Sequence, residues 1–185
     1  MMFMSGDSRR SVTIVGLGLI GSSLGLAIRG VAAEKWKVIG QDSHQPILNH
    51  ALKIGAIEQQ AMDLATSVKE SSIVIIATPI SQIPNVMKAL GPAVNASCVI
   101  TDTASTKTTV MEWAEKLLPS NINFVGGHPL AGKEQQGINN ADPYLFQGKG
   151  YAISVPPNAD KKAISTLLEI VLIPRVPMDA TFFLF

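Results

Sequence analysis

A chain of 185 residues is long enough to close one well-packed domain with little left over. Its 15 basic and 14 acidic side chains are interspersed and nearly cancel, which argues against nucleic acid as the main partner. The single cysteine gives no disulfide framework or metal centre, no stretch reaches the ~18–20 apolar residues of a membrane span, and Met1 to Arg10 carries no signal-peptide core, so the expectation is a reduced, soluble, cytoplasmic protein.

After a tail at 1–10, residues 12–15 (Val-Thr-Ile-Val) form a run with both faces apolar, the pattern of a strand buried in a parallel sheet. The run ends in Gly16, Gly18 and Gly21. A helix is predicted over 19–30, uncharged until its last turn, with Gly25 one turn beyond Gly21 on the face expected to approach the sheet. A second apolar run at 37–40 leads to Asp42. Strand, GxGxxG turn, helix start and an acid after the next strand make the fingerprint of a dinucleotide site. Gly16 permits the turn, Gly18 leaves room for a pyrophosphate and Gly21 brings the helix close. The helix start at Leu19 and Ile20 offers backbone N–H groups to the phosphates. Asp42 can accept the adenosine ribose hydroxyls and would repel a 2′-phosphate, which favours NAD over NADP; the alternative is a turn or capping carboxylate before Gln45-Pro46.

Further along, helices are predicted at 45–54, 80–90, 106–118 and 159–172, with a short helix or turn at 63–69. They alternate with apolar runs at 72–77, 98–101, 122–126 and 151–155, and a last strand is expected at 174–180. The alternation predicts a doubly wound, mostly parallel α/β sheet with right-handed crossovers. Cys98 reads as a small buried hydrophobe. Residues 127–150 break the rhythm, being too rich in Gly and Pro for a regular element, and a long irregular segment after a strand points to function. The end at 181–185 (Thr-Phe-Phe-Leu-Phe) is apolar and uncapped, as an interrupted chain or a covered patch would be.

Three successive strand ends bring Thr78, Ser105 and His128 to one rim. Ala77-Thr78-Pro79 closes the central strand where the loop would pass the cofactor, with Pro79 stopping the ladder. Ser105 reads as the N-cap of the 106–118 helix and as a hydroxyl facing the crevice. Lys107, on a first helical turn, brings an ammonium group that faces the crevice or else stays solvated, and His44 and His50 read as exposed or structural. His128, between glycines and Pro129, suits proton transfer at neutral pH.

On Ile14 to Ser23, Ala77-Thr78-Pro79, Thr101 to Lys107 (Thr-Asp-Thr-Ala-Ser-Thr-Lys) and Gly127 to Glu134 with Gly137, the sequence resembles the nucleotide-binding half of the prephenate/arogenate dehydrogenases. The Asp-x-x-Ser-x-Lys and Gly-His-Pro-x-Ala-Gly motifs, in that order, are the specific part. The resemblance implies an NAD-binding Rossmann domain over 11–180. It implies cofactor contacts at Gly16, Gly18, Leu19, Ile20, Gly21, Asp42, Ala77, Thr78, Pro79 and Thr103, and no metal. It further implies oxidative decarboxylation of a cyclohexadienyl acid, with His128 and Ser105 catalytic and Ser105, His128 and Lys133 touching the small-molecule substrate. The family continues with a His-Asp pair and a mainly helical domain that pairs two subunits and holds the substrate carboxylates. Thr181 to Phe185 stand in its place, so a truncated chain with impaired activity is expected, the full-length form being a homodimer. Two other readings are a dehydrogenase of the β-hydroxyacid or pyrroline-carboxylate reductase type, which lacks the Gly-His-Pro-x-Ala-Gly loop, and a non-catalytic NAD-binding module.

Overall fold

The computed structural model describes residues 7–61, 63–157, 159–173 and 182–184. Its first half alternates strand and helix: β1 (Arg10–Val15), α1 (Leu19–Ala32), β2 (Trp36–Gln41), α2 (Gln45–Lys53), β3 (Gln59–Gln60), α3 (Leu64–Val68) and β4 (Ser71–Ile76). A 3₁₀ turn at Ile80–Gln82 opens α4 (Ile83–Leu90), followed by β5 (Val99–Asp102), α5 (Thr108–Leu117) and β6 (Asn123–Phe124). These six strands form one parallel sheet in the order β3-β2-β1-β4-β5-β6, the doubly wound arrangement expected from the alternation.

The uninterrupted Val/Ile runs are explained by burial on both faces. Val12, Ile14, Ile73 and Ile75 turn to one side, where α1, α2 and α6 (Lys161–Leu172) supply Leu24, Ile28, Leu48 and Leu167. Val15, Val74 and Ile76 turn to the other, against Val68, Ile83, Met87, Leu90 and Val110 of α3, α4 and α5. Most of these side chains are fully buried, each stabilising the fold by about 1.5–3 kcal/mol. Cys98 lies in the second layer, its thiol pushed up to about 12 by burial, and is chemically inert.

Three expectations change in the second half. The run at 122–126 is two elements. Only Asn123 and Phe124 pair with β5, the Val125 amide makes a last rung to Ile100, and the chain then leaves the sheet as β7 (Gly126–Pro129). Residues 127–150 therefore begin as a strand, not as irregular chain. The run at 151–155 does not extend the parallel sheet: β8 (Tyr151–Ser154) pairs antiparallel with β7, and β9 (Phe182–Leu184) pairs parallel with β8, in a separate three-stranded sheet. The strand expected at 174–180 lies outside the described residues. Among those described, no helix is long and apolar enough to cross a membrane.

Candidate active site

One register row sets the geometry. Gln41, Val15, Ile76 and Asp102 are aligned across β2, β1, β4 and β5 at their carboxyl ends. The next residue of each strand is Asp42, Gly16, Ala77 or Thr103. The backbone ladder runs one rung further through them: Gly16 N–H to Gln41 O at 2.8 Å, Ala77 N–H to Val15 O at 2.7 Å, Thr103 N–H to Ile76 O at 3.1 Å. Residues chosen by motif from four separate segments thus lie along one edge, where open α/β sheets bind ligands.

Two glycines of the first turn are required by the fold and one is not. Gly16 has φ +94°, and a Cβ there would lie 2.8 Å from the Ala77 carbonyl carbon. A Cβ on Gly21 would lie 2.0 Å from the Gly16 oxygen, so α1 seats against the turn itself. Gly18 is extended (φ −74°, ψ −158°) at the N-cap of α1, no side chain caps the helix, and a Cβ there would meet nothing within 4 Å. The space above Gly18 borders the uncapped amides that follow Leu19 and Ile20. Gly25 does not approach the sheet as expected; its Cβ would fall 2.1 Å from Ala56 O, in the loop before β3.

These positions separate folding from binding. Gly21→Ala should cost about 1–3 kcal/mol or more through backbone overlap. Gly18→Ala should leave thermal unfolding nearly unchanged and weaken dinucleotide binding at least about tenfold, about 1.4 kcal/mol. Calorimetric unfolding and titration of both variants check this; equal loss of stability at the two positions would contradict it.

Asp42 is held at both oxygens. Oδ2 accepts from Leu17 N–H at 2.9 Å and Oδ1 from His44 N–H at 3.0 Å, so it makes the turn into α2 while fixing the glycine loop. The N-cap of α2 is His44. On the other side of β1, the Thr78 hydroxyl is buried without a hydrogen-bond partner, and Pro79 leads into the 3₁₀ turn.

The Asp-x-x-Ser-x-Lys segment is built around a buried ion pair. Asp102 is fully buried: Oδ2 accepts from Ala104 N–H at 2.9 Å and from Lys107 Nζ, and Oδ1 accepts from Gly127 N–H at 3.1 Å. Lys107 Nζ also donates to Gly127 O at 2.7 Å. Lys107 is therefore not solvated; burial pulls its pKa down, and the Asp102 carboxylate opposes that shift. The pair thus takes both backbone polar groups of Gly127, on the side of β7 away from β8. A Cβ on Gly127 would lie within 2.8 Å of Tyr151 Oη, Asp102 O and Thr101 Oγ1, so no other residue fits this close approach.

His128 follows Gly127 in β7, opposite Ala152, and is partly buried. Burial first, and then the Lys107 charge, hold its pKa below 6.5, while Asp102 pulls the other way. Ser105 is exposed and forms no hydrogen bond among the described residues; the helix it was expected to cap starts at Thr108, with Lys107 as the N-cap. No hydrogen bond joins Ser105 to His128. Lys133 is engaged within its own loop, 2.9 Å from Asp142 Oδ2 and 3.4 Å from Asn140 O. The Asp142 amide in turn donates to Ser23 Oγ of α1 at 2.9 Å, so the segment beyond His128 is moored to the helix that opens at Gly18. Sequence reasoning missed Asp102 as an anchor and Lys107 as its partner. No three of His, Cys, Asp or Glu gather to hold a metal among the described residues.

The lowered value for His128 has a sign that can be checked. The folded state disfavours the charged ring, so the contribution to stability is complete above pH 6.5 and is lost as pH falls through the folded-state value. Proton NMR titration should give a midpoint below 6.5, and Lys107→Met should raise it.

The strand order, the open space at Gly18, the amide-held carboxylate of Asp42 and the orphaned Thr78 hydroxyl define a Rossmann-type nucleotide-binding domain. Residues 24–175 match the family model of the prephenate dehydrogenase nucleotide-binding domain, and the chain belongs to that family. It is 36% identical over 162 residues to the prephenate dehydrogenase of Bacillus subtilis strain 168, covering 87% of this chain and 43% of the relative. The arogenate dehydrogenase of Synechocystis superposes with a TM-score of 0.83 at 28% identity, over 95% of this chain and 59% of that one. The prephenate dehydrogenase of A. aeolicus, solved with hydroxyphenyl propionate and NAD+, superposes with a TM-score of 0.84 at 24% identity, over 96% of this chain and 60% of that one. The chain spans about half the length of the curated relatives it matches.

Proposed function

We propose that this chain binds NAD+ and carries the proton-accepting part of a site for oxidative decarboxylation of prephenate or arogenate. The observation that supports it most is His128, its pKa lowered by burial, one residue beyond a glycine clamped to the Asp102–Lys107 pair at the carboxyl end of β5. The named relatives act in this reaction class.

Bound NAD+ would accept a hydride from the ring carbon that bears the hydroxyl. The residues of this chain do the rest. Gly16, Gly18 and Gly21 bring the Leu19 and Ile20 end of α1 to the diphosphate, and Asp42 takes the ribose hydroxyls. Ala77, Thr78, Pro79 and Thr103 line the passage towards the reacting end. His128 accepts the substrate hydroxyl proton as the carbonyl forms, and Ser105 comes to hydrogen-bond the same hydroxyl when substrate is bound. The ring carboxylate leaves as CO₂, its electron pair restores aromaticity, and the enzyme need only position the partners and hold one proton. Lys133 touches the substrate only if its Asp142 contact is exchanged.

Calorimetric titration with NAD+, followed by assays of NADH formation with prephenate and with arogenate, tests the reading. Saturable NAD+ binding is expected, with NADH formed from prephenate or arogenate wherever turnover occurs. Absence of NAD+ binding refutes the proposal.

A further inference from the structure

We propose that the amino end of the parallel sheet, away from the glycine turn, holds a second ligand site, one that takes a small tetrahedral anion such as inorganic phosphate. A cleft of about 220 Å³ opens there. Stretches distant in sequence line it: Arg10 at the start of β1, Lys69 to Ser72 where α3 passes into β4, and Lys162 and Thr166 on the first two turns of α6. The loop before β5 closes it with Asn95 and Ser97. β4 is six residues long, so the cleft lies roughly 16–20 Å from the carboxyl edge that carries Gly16 and Ala77. The inference therefore stands apart from the nucleotide-site reading above.

What distinguishes this cleft is the charge and hydrogen-bonding capacity left over in it. The chain as a whole is nearly neutral, yet Arg10, Lys69 and Lys162 border one small space. Arg10 is committed: its guanidinium lies 4.2 Å from the centre of the Trp36 ring and pairs with Glu169. The ammonium groups of Lys69 and Lys162 form no ion pair among the described residues, and the hydroxyls of Ser72 and Thr166 form no hydrogen bond there. The rest of the lining is already satisfied. Ser71, almost fully buried, donates to Ser67 O at 2.9 Å, and Asn95 Oδ1 accepts from the Ser97 hydroxyl at 3.1 Å. Nearby acids are mostly engaged as well. Glu169 is held by Arg10, Asp160 accepts from Lys162 N–H at 2.9 Å, and Asp63 caps α3, which leaves Glu70 as the carboxylate that lines the cleft. The donor set selects the ligand. A planar carboxylate is held best by a guanidinium fork, and the fork here is occupied by Glu169. Ammonium groups are compact charges with rotatable donors, and together with hydroxyls on opposite walls they suit an anion whose oxygens point in four directions.

The test is calorimetric titration of the chain with inorganic phosphate, with and without NAD+, at an ionic strength held constant with chloride. Saturable binding with a Kd of about 1 mM is expected, and NAD+ should leave it unchanged. Lys69→Gln and Lys162→Gln should each weaken it roughly three- to fivefold, the range for exposed charges, and Glu70→Gln should tighten it by a similar factor. Acetate at the same ionic strength should bind more weakly than phosphate. The three side chains are exposed, so the unfolding midpoint without phosphate should hold in every variant. Phosphate binding that NAD+ abolishes and the lysine variants leave intact belongs to the glycine turn and overturns the second site. Absence of binding, or a response to phosphate no greater than to acetate, overturns it equally. Neither result bears on whether the chain binds NAD+, which the titration of the dinucleotide alone decides.

Discussion

Lys107→Met should destabilise the folded chain by about 3–5 kcal/mol, because it leaves the Asp102 carboxylate buried without its cation. At about 2–4 °C per kcal/mol for a chain of this size, the unfolding midpoint should fall by about 6–20 °C. The cost is not that of an exposed ion pair: Asp102 is fully buried and the Lys107 side chain is 17% exposed. Lys107→Arg should not restore stability, since a planar fork cannot replace a compact ammonium between a carboxylate and the Gly127 carbonyl. Adding Asp102→Asn to Lys107→Met should recover part of the loss by removing the stranded charge. Chemical denaturation of the three variants decides the matter. A loss below about 1 kcal/mol in Lys107→Met would show that the pair carries no more than a surface contact.

In a form of the protein that turns over prephenate or arogenate as proposed, His128→Asn should lower turnover by roughly 10²–10⁴-fold, the range for a general base. NAD+ affinity should be nearly unchanged, because the glycine turn and Asp42 are reached through β1 and β2 and not through β7. The pH profile separates a base from a merely structural ring. With His128 present, the acid limb of kcat/KM should follow a group titrating below 6.5, and that limb should vanish in the Asn variant. Full turnover with Asn at 128 refutes the assignment. Loss of NAD+ binding in the same variant would mean that the ring supports the fold rather than the proton transfer.

Much of this was readable before any coordinates, for identifiable reasons. A strand buried on both faces has to be Val- and Ile-rich, so β1, β2, β4 and β5 were placed within one or two residues. The glycine turn was readable because positive φ and close backbone approach leave few substitutes at Gly16 and Gly21. β3 was missed because it is two glutamines at a sheet edge, with no apolar signature. The direction of β8 was missed because a short apolar run does not encode whether its neighbour is parallel or antiparallel. The place of Lys107 on a first helical turn leaves crevice and solvent both open to it, yet a signal for the ion pair exists. Asp102 closes a strand with no exposed face, a fully buried carboxylate requires a cation, and Lys107 is the only one between Lys88 and Lys116. Residue type alone suggests Ser105 as a cap; the helix starts two residues later than that, at Thr108. Its relation to substrate depends on a ligand, which no sequence pattern displays.

The contact between Ser23 and Asp142 joins residues 119 apart in the chain, whereas Asp102 and Lys107 are five apart. Closing so long a loop costs entropy that a single hydrogen bond does not return, so the mooring forms only after the parallel sheet has brought its ends together. The half of the edge that carries the glycine turn is thus an early product of folding and the segment beyond His128 a late one. Amide exchange should follow the same order in reverse, with the Asp142 proton leaving through local opening long before those of β1 and β4.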